Sequence, residues 1–269
     1  MNTDMIDIAL ARLQRERIKE QTLRFSAISL AEMEDVKLMN RTDTKFLLPR
    51  RRISSLLDQL RENYRMLEVA GHRLCAYETL YFDTPDLRYY HDHQSGRSNR
   101  YKIRQRRYVE SDLLFTEVKH KTNKGRTVKE RIQNREVQPL EVRPTQLDAE
   151  SRAFVNSRTK GTPLDLRPVL WVGYRRITLV GRYSPERITL DLDLSFADGQ
   201  RQRDFGGLAI AEVKQDARQA SAFLDLMKQQ GVRSGSISKY CLGVVSLDRT
   251  IKHNRFKPQL RHLQKIINQ

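Results

Sequence analysis

Arg100-Tyr101-Lys102-Ile103-Arg104-Gln105-Arg106-Arg107-Tyr108 is the stretch that decides the fold. Side chains alternate across a β-strand, so Arg100, Lys102, Arg104 and Arg106 project from one face while Tyr101, Ile103 and Val109 project from the other. A row of cations on one strand face repels itself. Such a face makes sense only where it meets a strongly anionic ligand, or where carboxylates stand opposite. The next two segments repeat the pattern: Phe115, Glu117 and Lys119 share a face in Leu113 to Lys121, and Lys129 and Arg131 share one in Arg126 to Arg135. Glu110-Ser111-Asp112 and Lys121-Thr122-Asn123-Lys124-Gly125 are polar stretches of turn length, which predicts an antiparallel meander with one long basic surface dotted with carboxylates.

Upstream of this meander, Asp4 to Glu20 has helical spacing through Ile6, Leu10, Leu13 and Ile18, with acids at the front and bases towards the end. Leu38 to Leu48 reads as a strand carrying Arg41, Asp43, Lys45 and Leu47 on one face. Pro49 ends it, and Arg51 to Tyr64 resumes helical spacing. Leu74 to Phe82 reads as a strand, and Asp83-Thr84-Pro85 stops it before a short helix from Asp86 to His93. Downstream, Pro144 to Asn156 reads as a helix, Lys160-Gly161-Thr162-Pro163 as a loop, and Val169 to Val180 with Arg187 to Phe196 as a hairpin. The second strand of that hairpin alternates Arg187, Thr189, Asp191 and Asp193 against Ile188, Leu190, Leu192 and Leu194, and Asp193 reads as the structural partner of an arginine. Leu208 to Lys214 is a further strand, Asp216 to Gln230 a helix closed by Gly231, and Ser238-Lys239 opens a last apolar helix to Leu247. The tail from Lys252 to Gln269 is basic and only weakly helical in pattern.

The chain has 269 residues, 50 Lys and Arg against 33 Asp and Glu, and a formal net charge of +17. It is long enough for a sizeable core, and no Pro/Gly/Ser-rich linker divides it. The charge points to an anionic partner: nucleic acid, an anionic membrane surface or phosphate-rich small molecules. No apolar run is long enough for a transmembrane helix. Met1 to Leu10 carries Asp4 and Asp7 and lacks an export pattern, and Cys75 and Cys241 form no C-x-x-C motif, which together predict a cytoplasmic protein with free thiols. No Gly-rich nucleotide loop and no G-x-S-x-G motif occurs. His91-Asp92-His93 has alternate histidines but no third ligand at a sensible spacing. Tyr77, Tyr81, Phe82, Tyr89 and Tyr90 read as core packing.

Strands that are charged on one face and apolar on the other allow two architectures. In an open sheet the charged face points to water. In a closed one the charged face lines a lumen, and about eight strands suffice to enclose a small ligand.

Lys45 in its strand, Arg104-x-Arg106, Glu117-x-Lys119, Val128-Lys129-x-Arg131, Tyr174-x-Arg176, Arg187-Ile188-Thr189-Leu190-Asp191, Glu212-x-Lys214 and Ser238-Lys239 together resemble the VTC polyphosphate polymerase domain of the triphosphate tunnel metalloenzymes, in order and approximate spacing over residues 38 to 247. Each dipeptide is common by itself; their order carries the resemblance. It implies an α+β fold, an antiparallel eight-stranded β-barrel or tunnel with a charged lumen, covered outside by helices. Residues 35–250 would form this domain, 1–34 a helical segment packing on the barrel, and 251–269 a basic tail. The implied activity is transfer of the γ-phosphoryl group of ATP to a growing polyphosphate chain, with Mn²⁺ or Mg²⁺ as cofactor and ATP, polyphosphate or triphosphate as ligands. By resemblance, Lys45, Arg104, Arg106, Lys119, Arg176, Arg187 and Lys239 would act on the reacting phosphates. Lys102, Lys129, Arg131, Lys214 and Tyr174 would bind phosphate, and Glu212, Glu117 and Asp191 would hold the metal.

One departure bears on the activity. The wider tunnel superfamily opens with E-x-E-x-K, whereas this chain has Arg41-Thr42-Asp43-Thr44-Lys45, which argues for a VTC-type member over a CYTH-type hydrolase or cyclase. Phosphoryl transfer needs charge neutralisation and in-line positioning more than a covalent nucleophile, which suits a lining of mixed Arg and Lys. The competing readings are a triphosphatase of the same fold and a binding module for polyphosphate, inositol phosphates or, through its basic surface, RNA.

Overall fold

The alternating segments join into one sheet. The computed structural model describes residues 3–35, 41–136, 146–159, 165–216 and 219–267. The first half contains α1 (Thr3–Leu23), β1 (Ala27–Ile28), α2 (Leu30–Asp35), β2 (Arg41–Pro49), α3 (Ile53–Leu60), β3 (Tyr64–Leu67), β4 (Cys75–Asp83), α4 (Arg88–Ser95), β5 (Arg100–Tyr108), β6 (Leu113–Lys121) and β7 (Thr127–Gln133). The second half contains α5 (Ala149–Arg158), β8 (Arg167–Gly181), β9 (Glu186–Ala197), β10 (Gln202–Phe205), β11 (Leu208–Asp216), α6 (Ala222–Gln229), α7 (Lys239–Leu247) and α8 (Lys257–Ile267). The start of the strand predicted from Leu38, the first two residues of the helix predicted from Pro144, and the Lys160-Gly161-Thr162-Pro163 loop lie outside the described residues.

Hydrogen-bonded neighbours run β2-β11-β9-β8-β4-β5-β6-β7, an antiparallel path of eight strands. β2 and β7 are its edges, and the ladder is not closed between them. The sheet nevertheless curls into a tunnel: Lys45 of β2 lines one cavity together with Lys102 of β5 and Lys119 of β6. The short strands β1, β3 and β10, which hydropathy alternation does not signal, pair onto the sheet beside β8 and β9.

The apolar face of each strand turns outward and is covered by helices. Ile188, Leu190 and Leu192 of β9 pack with Leu56, Leu57 and Leu60 of α3 and Phe223 and Met227 of α6. α7 and α8 cover β8, β9 and β11 through Val244, Val245, Leu263 and Ile266. Each such side chain contributes about 1.5–3 kcal/mol on burial, so the helical shell is the core of this fold. α7 lies close against the sheet: a Cβ at Gly243 would stand 2.5 Å from Leu170 Cδ2 and 2.6 Å from Phe196 Cδ1. Cys75 and Cys241 are free and buried. Among the described residues, no helix is long and apolar enough to cross a membrane.

Three local expectations are corrected. The helix predicted from Asp216 starts only at Ala222, because β11 runs on to Asp216 and Ser221 is the cap, accepting a hydrogen bond from Leu224 N. The tail is not weakly helical, since Leu260, Leu263 and Ile267 recur at helical spacing in α8 and Leu263 and Ile266 are buried against the sheet. The clean alternation of β9 breaks at Asp193, where the register with β8 shifts and φ is +52°. That bulge aims Asp193 away from Asp191 and towards Arg15 (3.0 Å) and Arg50 (2.9 Å).

One buried acid ties the sheet to two helices. Asp83, fully buried at the end of β4, accepts hydrogen bonds from the backbone N–H of Thr84 (2.8 Å), Tyr89 (2.9 Å) and Tyr90 (2.9 Å), and from the Tyr240 hydroxyl of α7. Asp83→Ala leaves these donors buried without an acceptor, so unfolding in urea should show a loss of at least about 3 kcal/mol. A loss under about 1 kcal/mol would show that the carboxylate is not the tie described.

Candidate functional site

Antiparallel register sets the inward side chains in rows. Tyr81, Arg104, Glu117 and Arg131 stand side by side across β4, β5, β6 and β7; Lys102, Lys119 and Lys129 form the next row. On the facing wall, Arg176 is opposite Asp191, Thr189 and Lys45 flank Glu212, and Arg187 is opposite Lys214. Lys239 enters from the first turn of α7, whose cap, Ser238, accepts a hydrogen bond from Cys241 N. The positive end of that helix dipole therefore points into the lumen. All the residues singled out from the sequence are brought together around this one interior.

The carboxylates keep the cations in place, and they do so unequally. Glu117, almost fully buried, is held by Arg104 (2.5 Å) and by Lys129. Burial alone would raise its pKa, but the Arg104, Arg106 and Lys129 charges outweigh it and hold the carboxyl at about 2. Asp191 is equally buried and closed by Arg176 (2.6 and 2.9 Å) and by Lys239; these charges likewise overcome burial and keep it ionised. Glu212 differs. Its nearest cations are Lys45 at 3.5 Å and Lys214 at 3.9 Å, and against the pull of burial they, with Arg176 and Lys239, keep it ionised. It is the most loosely held of the three.

The lysines are poised to gain an anion. Water reaches Lys119 and Lys129 through the lumen, yet the surrounding wall and neighbouring charges push both down to about 8: burial first, then Lys102 and Lys45 for Lys119, and Arg104 and Arg106 against the help of Glu117 for Lys129. Lys102, hydrogen-bonded to Ser238 Oγ at 2.9 Å, is lowered chiefly by burial. A cavity lies toward each end of the strands. One cavity of about 380 Å³ is lined by Lys45, Lys102, Lys119 and Ser238. The other, of about 330 Å³, is lined by Arg131, Arg176, Arg187 and Lys214.

Several participants were not singled out from the sequence. Tyr81 is buried in an apolar cluster with Tyr77 packed against it, as core residues are, and both also brace the cations. Arg176 lies over the Tyr77 ring at 4.9 Å, and Lys239 over Tyr174 at 4.7 Å. Arg104 donates to the Tyr81 hydroxyl at 3.3 Å, and although burial acts to raise it, Arg104, Arg106 and Lys102 bring that phenol down to about 8. Thr79 accepts from Arg106 Nε at 3.2 Å. The signal available was the period-two spacing Tyr77-x-Thr79-x-Tyr81, which puts these residues on one face. The Tyr174 hydroxyl and Thr189 Oγ1 are buried inside the tunnel without a hydrogen-bond partner, as polar atoms awaiting a ligand are. His93, the second histidine of the His91-Asp92-His93 run, lines the Lys45 cavity; burial, Lys102 and Arg100 hold it neutral, at about 2.

Among known proteins, the family model of the VTC domain matches residues 40–248. No curated protein matches the chain. Solved structures similar to it include a candidate adenylate cyclase from Bacillus halodurans, 13% identical, with 74% of this chain and 96% of that chain covered at a TM-score of 0.47. A candidate adenylyl cyclase from Hippeastrum with a dominant triphosphatase activity is 14% identical, with 80% and 100% covered at a TM-score of 0.43. The PH1819 protein from Pyrococcus horikoshii is 15% identical, with 76% and 97% covered at a TM-score of 0.42. These likenesses are remote.

Two outcomes follow from the charge arrangement. A bound phosphate chain restores the protons of Lys119 and Lys129, raising their pKa values from about 8. Binding of tripolyphosphate near pH 8.5 should therefore take up protons, and affinity should fall as pH rises past 8. Titration calorimetry in buffers of different ionisation enthalpy reads this, and Lys119→Met and Lys129→Met should each reduce the uptake; unchanged uptake in both would refute it. Asp191→Asn strips Arg176 and Lys239 of their counter-charge, which should destabilise the free protein by about 3 kcal/mol. Added tripolyphosphate should return most of that loss in thermal melts; a variant as stable as wild type without ligand would contradict the counter-ion role.

Proposed function

The chain belongs to the VTC domain family, and on that premise we propose that it is a metal-dependent polyphosphate polymerase, moving the γ-phosphoryl group of ATP onto a polyphosphate chain held in the tunnel. The observation that carries this reading is a lumen lined by arginines and lysines along its length and entered by a cavity at each end. A closed pocket suits a substrate that leaves the way it came. A passage suits a product that lengthens.

In this reading Arg104, Arg106, Arg176 and Lys239 bind the non-bridging oxygens of the reacting phosphates, where charge is redistributed as the bond to the leaving diphosphate breaks. Arg176 is forked onto Asp191 and braced by Tyr77, so its guanidinium is already oriented before substrate arrives. Lys102, Lys119, Lys129 and Lys45 line the wall beyond the reacting group and hold the acceptor chain as point charges in more than one register. Arg131, Arg187 and Lys214 line the opposite mouth.

Among the described residues, no three His, Cys, Asp or Glu side chains gather to hold a metal. A hard divalent ion bound with phosphates needs only one or two protein carboxylates, because phosphate and water oxygens complete its shell. Glu212, ionised and loosely paired, fits that requirement; Glu117 and Asp191 are each closed by two cations. Mg²⁺ or Mn²⁺ held by Glu212 would neutralise charge on the transferring phosphates.

The test is incubation of purified protein with ATP, Mn²⁺ and a short polyphosphate primer, with products resolved on a gel that stains long polyphosphate. Wild type should form polymer, and Glu212→Ala and Lys239→Ala should each lower the rate at least about 100-fold. Metal-dependent phosphate release without polymer would replace the polymerase by a triphosphatase. Tight binding with neither product would leave a receptor.

A further inference from the structure

Outside the tunnel, behind the wall formed by the ends of β5, β6 and β7, lies a cavity of about 820 Å³, roomier than either lumen cavity. Strand alternation makes it the reverse side of the lumen mouth. Arg100, Lys121 and Thr127 line the lumen cavity, while their neighbours Tyr101, His120 and Arg126 line the outer one. The tip of the β6–β7 hairpin, with Lys124 and Arg126 exposed, borders the outer cavity.

The outer cavity combines charge with unmet hydrogen-bonding capacity. Arg88, Lys124 and Arg126 stand around it, and its acid, Asp92, is already paired with Arg97 at 3.1 Å. In its wall three rings follow one another, Tyr89 to Tyr101 at 5.9 Å between centroids and Tyr101 to His120 at 4.3 Å. The Tyr89 hydroxyl is buried without a partner although the residue is only 3% exposed, and His120 Nε2 is buried and unpartnered as well. Buried polar atoms without partners are uncommon, and two in one cationic cavity mark a place for a ligand with several acceptor oxygens. A phosphate chain supplies such oxygens at high charge density, and the lumen mouth lies on the other face of the same strands.

We propose that this outer cavity is a second oligophosphate-binding site, in which the Tyr89 hydroxyl and the Nε2–H of His120 donate to phosphate oxygens and Arg88, Lys124 and Arg126 balance the charge. The proposal rests on the reading of the tunnel as an oligophosphate site. It gives the polymer a foothold outside the lumen, so that a long chain is held at two places and a short one at either.

Titration calorimetry with tripolyphosphate, on the full chain, tests it. Wild type should show two classes of site. Tyr89→Phe, which removes one hydroxyl and keeps the ring, should weaken one class about tenfold, the worth of a hydrogen bond to a charged group. Lys124→Ala with Arg126→Ala should abolish that class and leave the other. Arg104→Ala should do the reverse. A single class, lost with Arg104→Ala and indifferent to Tyr89→Phe in a variant with wild-type melting, overturns the outer site and leaves the tunnel reading standing. Two classes that both ignore Arg104→Ala would sink the tunnel reading instead. A single-stranded oligonucleotide outcompeting tripolyphosphate at the Tyr89-dependent site would overturn the oligophosphate assignment.

Discussion

Like charges crowded into one lumen repel, and every other feature of this protein answers that repulsion. Two buried carboxylates, Glu117 and Asp191, each draw in two cations and hold them ready at fixed positions. Aromatic faces take up more of the charge: Arg131 lies over Phe115 at 4.3 Å, and Arg176 over Tyr77 and Tyr174. The polar interior therefore contributes little to folding, and stability comes from the apolar outer face of the strands and the helices that cover it. Site and core are separated by the thickness of one sheet.

That separation explains what could be read from the sequence. Alternation in Arg100 to Tyr108 and in Arg187 to Leu192 specifies strands with one charged and one apolar face, and the order of the basic landmarks specifies their lumen. Local patterning is silent on three-dimensional neighbours. Tyr77 and Tyr81 are core as their spacing suggests, but that spacing does not show that their rings also lie beside guanidinium groups. Asp193 is legible as the partner of an arginine, but the bulge that turns it toward Arg15 and Arg50 is a matter of pairing with β8, which no single strand encodes. The tail looks polar because bases fill most of α8, yet Leu263 and Ile266 suffice to dock it. Short strands such as β3 and β10, held by their neighbours more than by their own propensity, leave no signal at all.

The unequal treatment of the three lumen acids has a chemical meaning. A carboxylate gripped at hydrogen-bond distance by two cations is a structural counter-ion, and its charge is spent. Glu212, whose cations stand off at 3.5 and 3.9 Å, keeps its charge available. In the proposed reaction the oriented cations would meet the phosphates and Glu212 would share a divalent ion with them, a division of labour suited to a substrate that brings most of the metal's ligands itself.

α7 joins the two sides of the sheet. Its first residue, Lys239, reaches Asp191 inside the lumen, while four residues on, Gly243 rests against Leu170 and Phe196 in the apolar shell. A larger residue there would press on the Leu170 and Phe196 side chains. The place of a lumen lysine is thereby coupled to packing on the far side of the wall, at a position that no ligand touches.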